Sequence, residues 1–175
     1  MVDDIYIEFS DDKCPSCDYP VLDACCGSRM FWANKEKLGV VFMDNRELDA
    51  VLCDGRTLNI HPDVIADFRR MPFEDESFYH IVFDPPHLRQ AGDNSWLAQK
   101  YGVLSEHWQD VIRQGFTECM RVLRPYGTLV FKWNVEQITA SEVIRAIGQE
   151  PLYGNMNSRK KDEKTVWMVF MKGVA

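Results

Sequence analysis

The hydrophobic positions of this chain fall into short continuous runs, separated by polar turns and by stretches with helical spacing. The runs predict five strands, over residues 20–24, 39–44, 64–67, 81–84 and 128–133. Continuous rather than alternating apolar runs are typical of strands that are buried on both faces, as in a parallel sheet between layers of helices. The alternation of strands and helical stretches therefore predicts an α/β fold with a doubly wound, mostly parallel sheet.

Two stretches carry apolar residues at helical spacing. Residues 107–123 carry an apolar stripe and predict an amphipathic helix. Residues 124–127 are expected to end this helix. Residues 140–147 predict a shorter helix, and Gly148 directly after them is a stop signal. A short, weak helix is also expected over residues 30–38.

Two further segments predict antiparallel hairpins. In the first, Asp54-Gly55 lies between residues 50–53 and 56–60, and this dipeptide suits a two-residue turn. That hairpin stands where an α/β unit normally has a helix. At the tail two more strands are expected, over residues 152–157 and 165–171. The whole pattern predicts a Rossmann-like sheet of seven strands with an antiparallel C-terminal hairpin.

Length and composition fit a single domain, because 46% of the 175 residues are hydrophobic. Its special parts are an N-terminal extension, a lid loop without clear period and the C-terminal hairpin, over residues 1–19, 88–106 and 151–173. No apolar run approaches the ~18 residues of a membrane span. The acidic N-terminus lacks the basic and apolar regions of a signal peptide. A cytoplasmic protein without membrane contact is expected, with its six cysteines as reduced thiols.

The net charge of −7 argues against a protein whose main task is to coat DNA or RNA. It leaves open a nucleic-acid substrate that is held by a local basic patch. Residues 159–161 and Lys164 form a basic spot on the predicted tail hairpin. This spot is either a solvated loop or a phosphate contact.

Three acids follow predicted strands at their carboxyl ends, which is where open α/β sheets bind ligands. The first opens the turn Asp23-Ala24-Cys25-Cys26-Gly27, whose glycine lets backbone N–H groups approach a ligand. Asp44 is placed to take both hydroxyls of a ribose, and Asp67 to accept from an adenine amino group with Phe68 beside it. A lone acid at a strand end is more often a helix cap or a solvent-facing residue. The succession of acids is what predicts a nucleoside-binding crevice.

The fourth predicted strand ends in Asp84-Pro85-Pro86-His87. In such a turn, the carboxylate and a backbone carbonyl can accept hydrogen bonds from an amine while the ring stacks on a flat heterocycle. Methyl transfer to an exocyclic or amide nitrogen requires this arrangement. The turn therefore indicates amino-methyl transfer chemistry at the same edge of the sheet.

These motifs together resemble those of the class I S-adenosylmethionine-dependent methyltransferases. Residues 23–27 look like the first motif of that class, and residues 67–82 resemble the segment that leads into its fourth strand. Residues 84–87 look like the D/N/S-P-P-Y/F/W motif of amino-methyltransferases, and residues 121–129 resemble the passage into the fifth strand. The likeness runs over about residues 20–135. With no recognition domain, the chain is similar to small phage- or prophage-encoded methyltransferases.

The resemblance implies S-adenosyl-L-methionine as cofactor and an in-line transfer that Asp84 directs. Asp84 would accept one N–H of the target, the Pro85 carbonyl the second, Pro86 would stiffen the turn, and His87 would pack on the target ring. Two residues depart from the pattern. Arg29 stands where a second glycine is usual, so it either caps the cofactor pocket or reaches the methionine carboxylate. His87 occupies the aromatic position, and a smaller, titratable ring there leaves the acceptor open.

Other residues allow two interpretations each. Cys14 and Cys17 form a CxxC pair, which is half of a zinc site, and Cys25-Cys26 would have to supply the rest. Because Cys25-Cys26 lie in the expected cofactor loop, no metal is predicted. In the lid loop, Trp96 and Tyr101 either stack on a base or anchor the loop.

Three function classes follow from the residues. The first is a methyltransferase for a nucleobase amino nitrogen, of the adenine N6 type, in DNA or RNA. The second is a methyltransferase for a protein amide or a small molecule, which the acidic charge favours. The third is a non-catalytic module that binds the cofactor. A nucleic-acid substrate and a separate target-recognition partner are expected in the first class, and the oligomeric state stays open.

Overall fold

The computed structural model describes residues 20–91, 95–156 and 164–174. Its strands are β1 (Val21–Asp23), β2 (Val40–Asp44), β3 (Leu48–Val51), β4 (Thr57–Ile60), β5 (Val64–Ile65), β6 (Phe78–Phe83), β7 (Leu123–Asn134), β8 (Tyr153–Gly154) and β9 (Thr165–Met171). Its helices are α1 (Trp96–Tyr101), α2 (Trp108–Val122) and α3 (Ala140–Ile147). The predicted N-terminal extension and the basic residues 159–161 lie outside the described ranges.

Seven strands form one sheet in the order β5-β2-β1-β6-β7-β9-β8. The first five are parallel to one another, whereas β9 runs antiparallel to both β7 and β8. The α/β doubly wound fold with an antiparallel C-terminal hairpin is confirmed. The strand order reverses between β1 and β6, which places the ligand crevice of such a fold at their carboxyl ends.

The two longer helices begin and end close to the predicted residues. The inner face of α2 buries its apolar stripe with the sheet, through Trp108, Ile112, Phe116, Cys119 and Val122. Helix α3 has the predicted bounds because both of its ends carry strong signals. Thr139 and Glu142 form a reciprocal capping box, and Gly148 at φ +75° ends the helix.

The β3–β4 hairpin is confirmed, but its predicted two-residue turn is wrong. The Leu52 amide donates to the Arg56 carbonyl (2.8 Å), and the Gly55 amide donates back to the Leu52 carbonyl (2.9 Å). These bonds enclose a three-residue loop in which Gly55 takes φ +83°. A turn of this kind followed by a left-handed residue is the next commonest hairpin connection.

The predicted helix over residues 30–38 does not form. The chain leaves the preceding loop with Arg29 at φ +55° and continues through successive turns. The Asn34 carboxamide oxygen accepts from the Glu36 amide (3.0 Å), a local side-chain bond that competes with helical hydrogen bonds. A segment this short gains too few helical bonds to overcome that competition.

The segment over residues 88–106 is not a structureless loop, because it contains α1. The Ser95 hydroxyl caps this helix by accepting from the Ala98 amide (3.4 Å), and Gly102 at φ +76° ends it. Trp96 packs against the apolar side of the β3–β4 hairpin, so this tryptophan anchors the segment. In the described ranges, no helix is long and apolar enough to cross a membrane.

Candidate active site

A cavity of about 200 Å³ lies where β1, β2 and β6 end. Its walls come from the loop after β1, from the ends of β2 and β6, from the C-terminal end of α1 and from β7. The lining residues are Ala24, Cys25, Cys26, Gly27, Ser28, Met30, Phe31, Asp44, Asn45, Arg46, Phe68, Asp84, Pro86, Lys100, Tyr101, Gly102, Val103 and Lys132.

The loop after β1 offers backbone to this cavity. Gly27 adopts φ +48°, and a Cβ atom built on it would meet nothing within 4 Å. The Gly27 amide donates to an Asp44 carboxylate oxygen (3.0 Å), and the Cys26 amide to the Met43 carbonyl (2.8 Å). The open space beside Gly27 allows a ligand to pass close to the main chain.

Asp44 is a buried carboxylate at the end of β2 that connects two walls of the cavity. Besides Gly27, it accepts from the backbone amide (3.1 Å) and from Nε (3.0 Å) of Arg46. The Arg46 guanidinium donates in turn to the carbonyls of Gln99 (3.2 Å) and Lys100 (3.3 Å) at the end of α1. Arg46 therefore links the acid of β2 to the helix that covers the cavity.

Asp84 lies directly after β6, and its carboxylate accepts from Lys132 Nζ (3.0 Å). The parallel register of β6 and β7 pairs Phe83 with Phe131, which brings the next residue of each strand side by side. Burial raises the pKa of Asp84, while the Lys132 ammonium opposes that rise. Among the described residues, only Lys132 bonds to this carboxylate, so its second oxygen is available in the cavity.

Aromatic rings and cations occur together near Asp84. Lys132 Nζ is 4.3 Å from the centroid of the Phe31 ring, and Lys100 Nζ is 5.0 Å from that of Tyr101. Both rings line the cavity, as do both lysines. Cations at these distances interact with the faces of aromatic rings.

The structure brings most of the sequence-predicted residues together in this cavity. Those that line it are Ala24, Cys25, Cys26, Gly27, Asp44, Phe68, Asp84 and Pro86. Five others do not line it, namely Asp23, Arg29, Asp67, Pro85 and His87. Each of the five has a different physical reason for its position.

Asp23 is buried beneath the loop after β1. Its carboxylate accepts from the indole Nε1 of Trp32 (2.8 Å) and from the Cys25 amide (3.4 Å). Burial raises the pKa of Asp23 to about 7, although both hydrogen bonds oppose the rise. This carboxyl supports the loop from below and does not reach the cavity.

The Arg29 guanidinium points away from the cavity. It donates to the carbonyls of Lys35 (2.8 Å) and His61 (2.7 Å), pairs with Asp63 (3.2 Å) and lies 3.9 Å from the centroid of Phe42. This side chain therefore ties the turns after β1 to the strand beside them. The expectation that Arg29 caps the cofactor pocket does not match its position.

Asp67 and Phe68 have separate surroundings although they are neighbours in sequence. The Asp67 carboxylate forms an ion pair with Arg69 (2.5 Å) and accepts from the Arg69 amide (2.8 Å). Phe68 turns inward and packs edge-on against Phe83 (5.4 Å between centroids). Gly115 of α2 makes room for it, because a Cβ there would lie 2.5 Å from the Phe68 ring. Only Phe68 therefore reaches the cavity.

His87 is buried behind the cavity wall. Its ring is 5.3 Å from that of Tyr101 and 6.2 Å from that of Trp133, centroid to centroid. Burial lowers the pKa of His87, so the imidazole is neutral at neutral pH, and Nδ1 has no hydrogen-bond partner among the residues that the structure describes. The predicted stacking of His87 on an acceptor ring does not match this position, because His87 is buried and does not line the cavity, whereas its neighbour Tyr101 does. Pro85, two residues before His87, is also buried and off the cavity wall.

Several cavity residues were missed by the sequence reasoning, namely Phe31, Arg46, Lys100 and Lys132, while Tyr101 was left between two roles. Lys132 carried a usable signal, because a cation inside an apolar strand needs a partner. The position of Lys100 depends on how α1 folds back, and Phe31 and Arg46 lie in turns after β1 and β2, whose course no local pattern encodes. Cys14 and Cys17 lie outside the described residues, and the described ones contain no group of three or more His, Cys, Asp or Glu that could hold a metal ion.

Comparisons with known proteins agree on the fold. No family model matches the sequence, and no curated protein matches it. Among solved structures, the chain is similar to the PH0226 protein of Pyrococcus horikoshii, with 16% identity and a TM-score of 0.52, over 87% of this chain and 81% of that one. It is also similar to an S-adenosylmethionine-dependent methyltransferase of Leishmania major, with 13% identity and a TM-score of 0.51, over 87% of this chain and 63% of that one. The chain therefore has the α/β fold of that methyltransferase.

Proposed function

We propose that this protein is an S-adenosyl-L-methionine-dependent methyltransferase that acts on an amino nitrogen of a nucleobase, of the adenine N6 type, in DNA or RNA. One observation carries the proposal. The Asp84 turn and the Gly27 loop share a single cavity at the carboxyl edge of the sheet. A methyl acceptor held by the first and a nucleoside held by the second would meet in that cavity.

The residues at this edge fit the cofactor. The open space beside Gly27 admits a ligand to the main chain, and Asp44 is an acid at the end of β2 suited to ribose hydroxyls. Phe68 supplies an apolar wall. The cofactor, when bound, supplies an electrophilic methyl group on a positively charged sulfur.

On the acceptor side, Asp84 has the leading role. Lys132 holds one carboxylate oxygen, so the other can accept an N–H of the target amine and direct the nitrogen lone pair into the cavity. The proton that the nitrogen loses after methylation passes along the same hydrogen bond. Pro85 and Pro86 stiffen the turn, so the acceptor is in place before the substrate binds. Positioning of reactants in this way can account for ~7–11 kcal/mol of a barrier.

The choice of a nucleobase has two supports. The first is the pair of aromatic rings beside Asp84, which can stack on a flat base. The second is the presence of lysines beside these rings, which suits the phosphates of a nucleic acid. The net charge of −7 favours a second candidate, a protein amide or small-molecule acceptor. A phage-type origin, a cytoplasmic location and a separate target-recognition partner belong to the first candidate as predictions.

The deciding experiment is transfer of tritiated methyl from S-adenosylmethionine into separate pools of DNA, tRNA, rRNA and total protein. We expect label in a nucleic-acid pool. Asp84→Ala should lower the rate roughly 10²-fold or more, as for loss of a positioned hydrogen-bonding group. Asp110→Ala, at an exposed position of α2, is the matched control. Label only in protein would shift the function to the second candidate. Near-normal transfer by folded Asp84→Ala would contradict the mechanism.

A further inference from the structure

The aromatic side chains that line the cavity near Asp84 come from outside the Asp84 turn. Tyr101 is the last residue of α1, and Phe31 lies in the turns after β1. Both are half-buried and both line the cavity. Each has a lysine over its ring, and one of these lysines, Lys132, is the partner of Asp84.

Tyr101 is held beside the Asp84 turn by several contacts. Gly102 caps α1 so close to Pro86 that a Cβ on the glycine would lie 3.5 Å from the proline ring. Just beyond, the Leu104 amide donates to the Leu88 carbonyl (2.7 Å). The segment after α1 therefore runs alongside the turn that carries Asp84, and its position determines that of the tyrosine.

The His87 ring supports Tyr101 from behind. It is buried, lies 5.3 Å from the Tyr101 ring and is itself backed by Trp133 at 6.2 Å. Three rings thus follow one another from the core to the cavity, and only the outermost one lines it. A flat ligand beside Asp84 would meet the phenol ring and not the imidazole.

We propose that Tyr101 and Phe31 form the binding surface for a flat heteroaromatic acceptor, with Asp84 at its edge as the hydrogen-bond acceptor for the exocyclic amine. This inference rests on the proposed function and narrows its substrate class. A base has an aromatic face for these rings, and its phosphate is attracted by Lys100, the cavity cation that is not paired with Asp44 or Asp84. An aliphatic amide has no aromatic face and gains nothing from the two rings.

The test is a fluorescence titration with a single-stranded oligonucleotide that contains 2-aminopurine, whose emission is quenched when the base stacks. We expect quenching by the wild-type protein in the presence of S-adenosylhomocysteine. Tyr101→Leu and Phe31→Leu should each weaken binding roughly 10- to 100-fold and reduce the quenching at saturation. Tyr101→Phe keeps the ring and should bind as the wild type does. Tyr79→Leu is the matched control, because Tyr79 is exposed near the opposite end of β6.

Two outcomes distinguish a failure of this inference from a failure of the proposed function. Absence of quenching by the wild type, or equal quenching by all of these proteins, overturns the ring site. Failure of the wild type to transfer labelled methyl into any pool, with ring-dependent quenching intact, instead contradicts the enzymatic function and leaves a base-binding site. If circular dichroism shows that Tyr101→Leu is poorly folded, the binding of Phe31→Leu alone tests the ring site, because Phe31 belongs to a different segment.

Discussion

Asp84 and Lys132 owe their pairing to strand register. Strands β6 and β7 are parallel neighbours, and their register pairs Phe83 with Phe131. Asp84, directly after β6, therefore lies beside Lys132 within β7. A buried carboxylate without a cation would tend to take up a proton. The lysine therefore keeps Asp84 an acceptor and fixes one of its oxygens.

Lys132→Met is expected to move the acid limb of the pH–rate profile upward. Burial already raises the pKa of Asp84, and Lys132 is the strongest of the groups that lower it, followed by Lys100. Loss of the ammonium should let that pKa rise further, because both the charge and the hydrogen bond that favour the ionised form are removed. The measurement is kcat/KM from pH 5 to 9, with the exposed Lys164→Met as control. The same acid limb in wild type and Lys132→Met would contradict this role.

Burial of the Asp23 carboxyl makes the folding stability depend on pH. Its pKa is raised from 3.8 to about 7 in the folded chain, so between these pH values the folded state holds a proton that the unfolded state has lost. Stability must therefore fall as the pH rises through this window and level off above pH 7. The cost at neutral and alkaline pH is on the order of 4 kcal/mol.

Asp23→Asn should remove this dependence, because an amide oxygen can still accept from Trp32 Nε1 without carrying a charge. The variant should gain stability over the wild type at pH 8 and much less at pH 4. Urea unfolding at the two pH values measures the difference. Exposed Asp110→Asn is the control and should show no such gain. A gain that is equal at both pH values would contradict the assignment to Asp23.

At the scale of elements, we expect helix α1 to control access to the cavity. A volume of about 200 Å³ is below the ~300–1,000 Å³ of common ligand sites, and residues 100–103 at the end of α1 form part of the wall. The helix is short, and its C-terminal carbonyls are held by Arg46, which also holds Asp44. We therefore expect cofactor binding at Asp44 to be coupled to displacement of α1 through this one guanidinium.

Arg46→Met should loosen α1 selectively. Loss of the hydrogen bonds from a charged group to the carbonyls of Gln99 and Lys100 should speed amide exchange over residues 96–102 by roughly tenfold or more. Exchange over α2 should not change. Hydrogen exchange with mass spectrometry measures both, and exposed Arg113→Met on α2 is the control. Slow exchange over α1 that is equal in wild type and Arg46→Met would contradict the lid.

For the whole molecule, the sequence predicted the sheet better than the segments that cover it. Buried parallel strands are continuous apolar runs, and helical spacing with the stop signal at Gly148 predicted the bounds of α3. The turns after β1 and the course of α1 depend on tertiary contacts, such as those of Arg29 with His61 and Asp63 and of Trp96 with the hairpin. Most of the residues predicted at strand ends line the cavity, whereas His87 is buried off its wall, and Tyr101, which does line it, was left between stacking and anchoring.

The charge distribution leads to a last prediction, on the salt dependence of oligonucleotide binding. The chain carries −7 overall, and two of the three cations that line the cavity, Arg46 and Lys132, are already paired with Asp44 and Asp84. Few phosphates can then be neutralised, and log K should fall with log salt at a slope of about −0.7 to −2, the value for one to three contacts on a single strand. Lys100→Gln should flatten that slope by about 0.7. A slope of about −5 would place the phosphate contacts on a different surface, with residues 159–161 as the first segment to mutate.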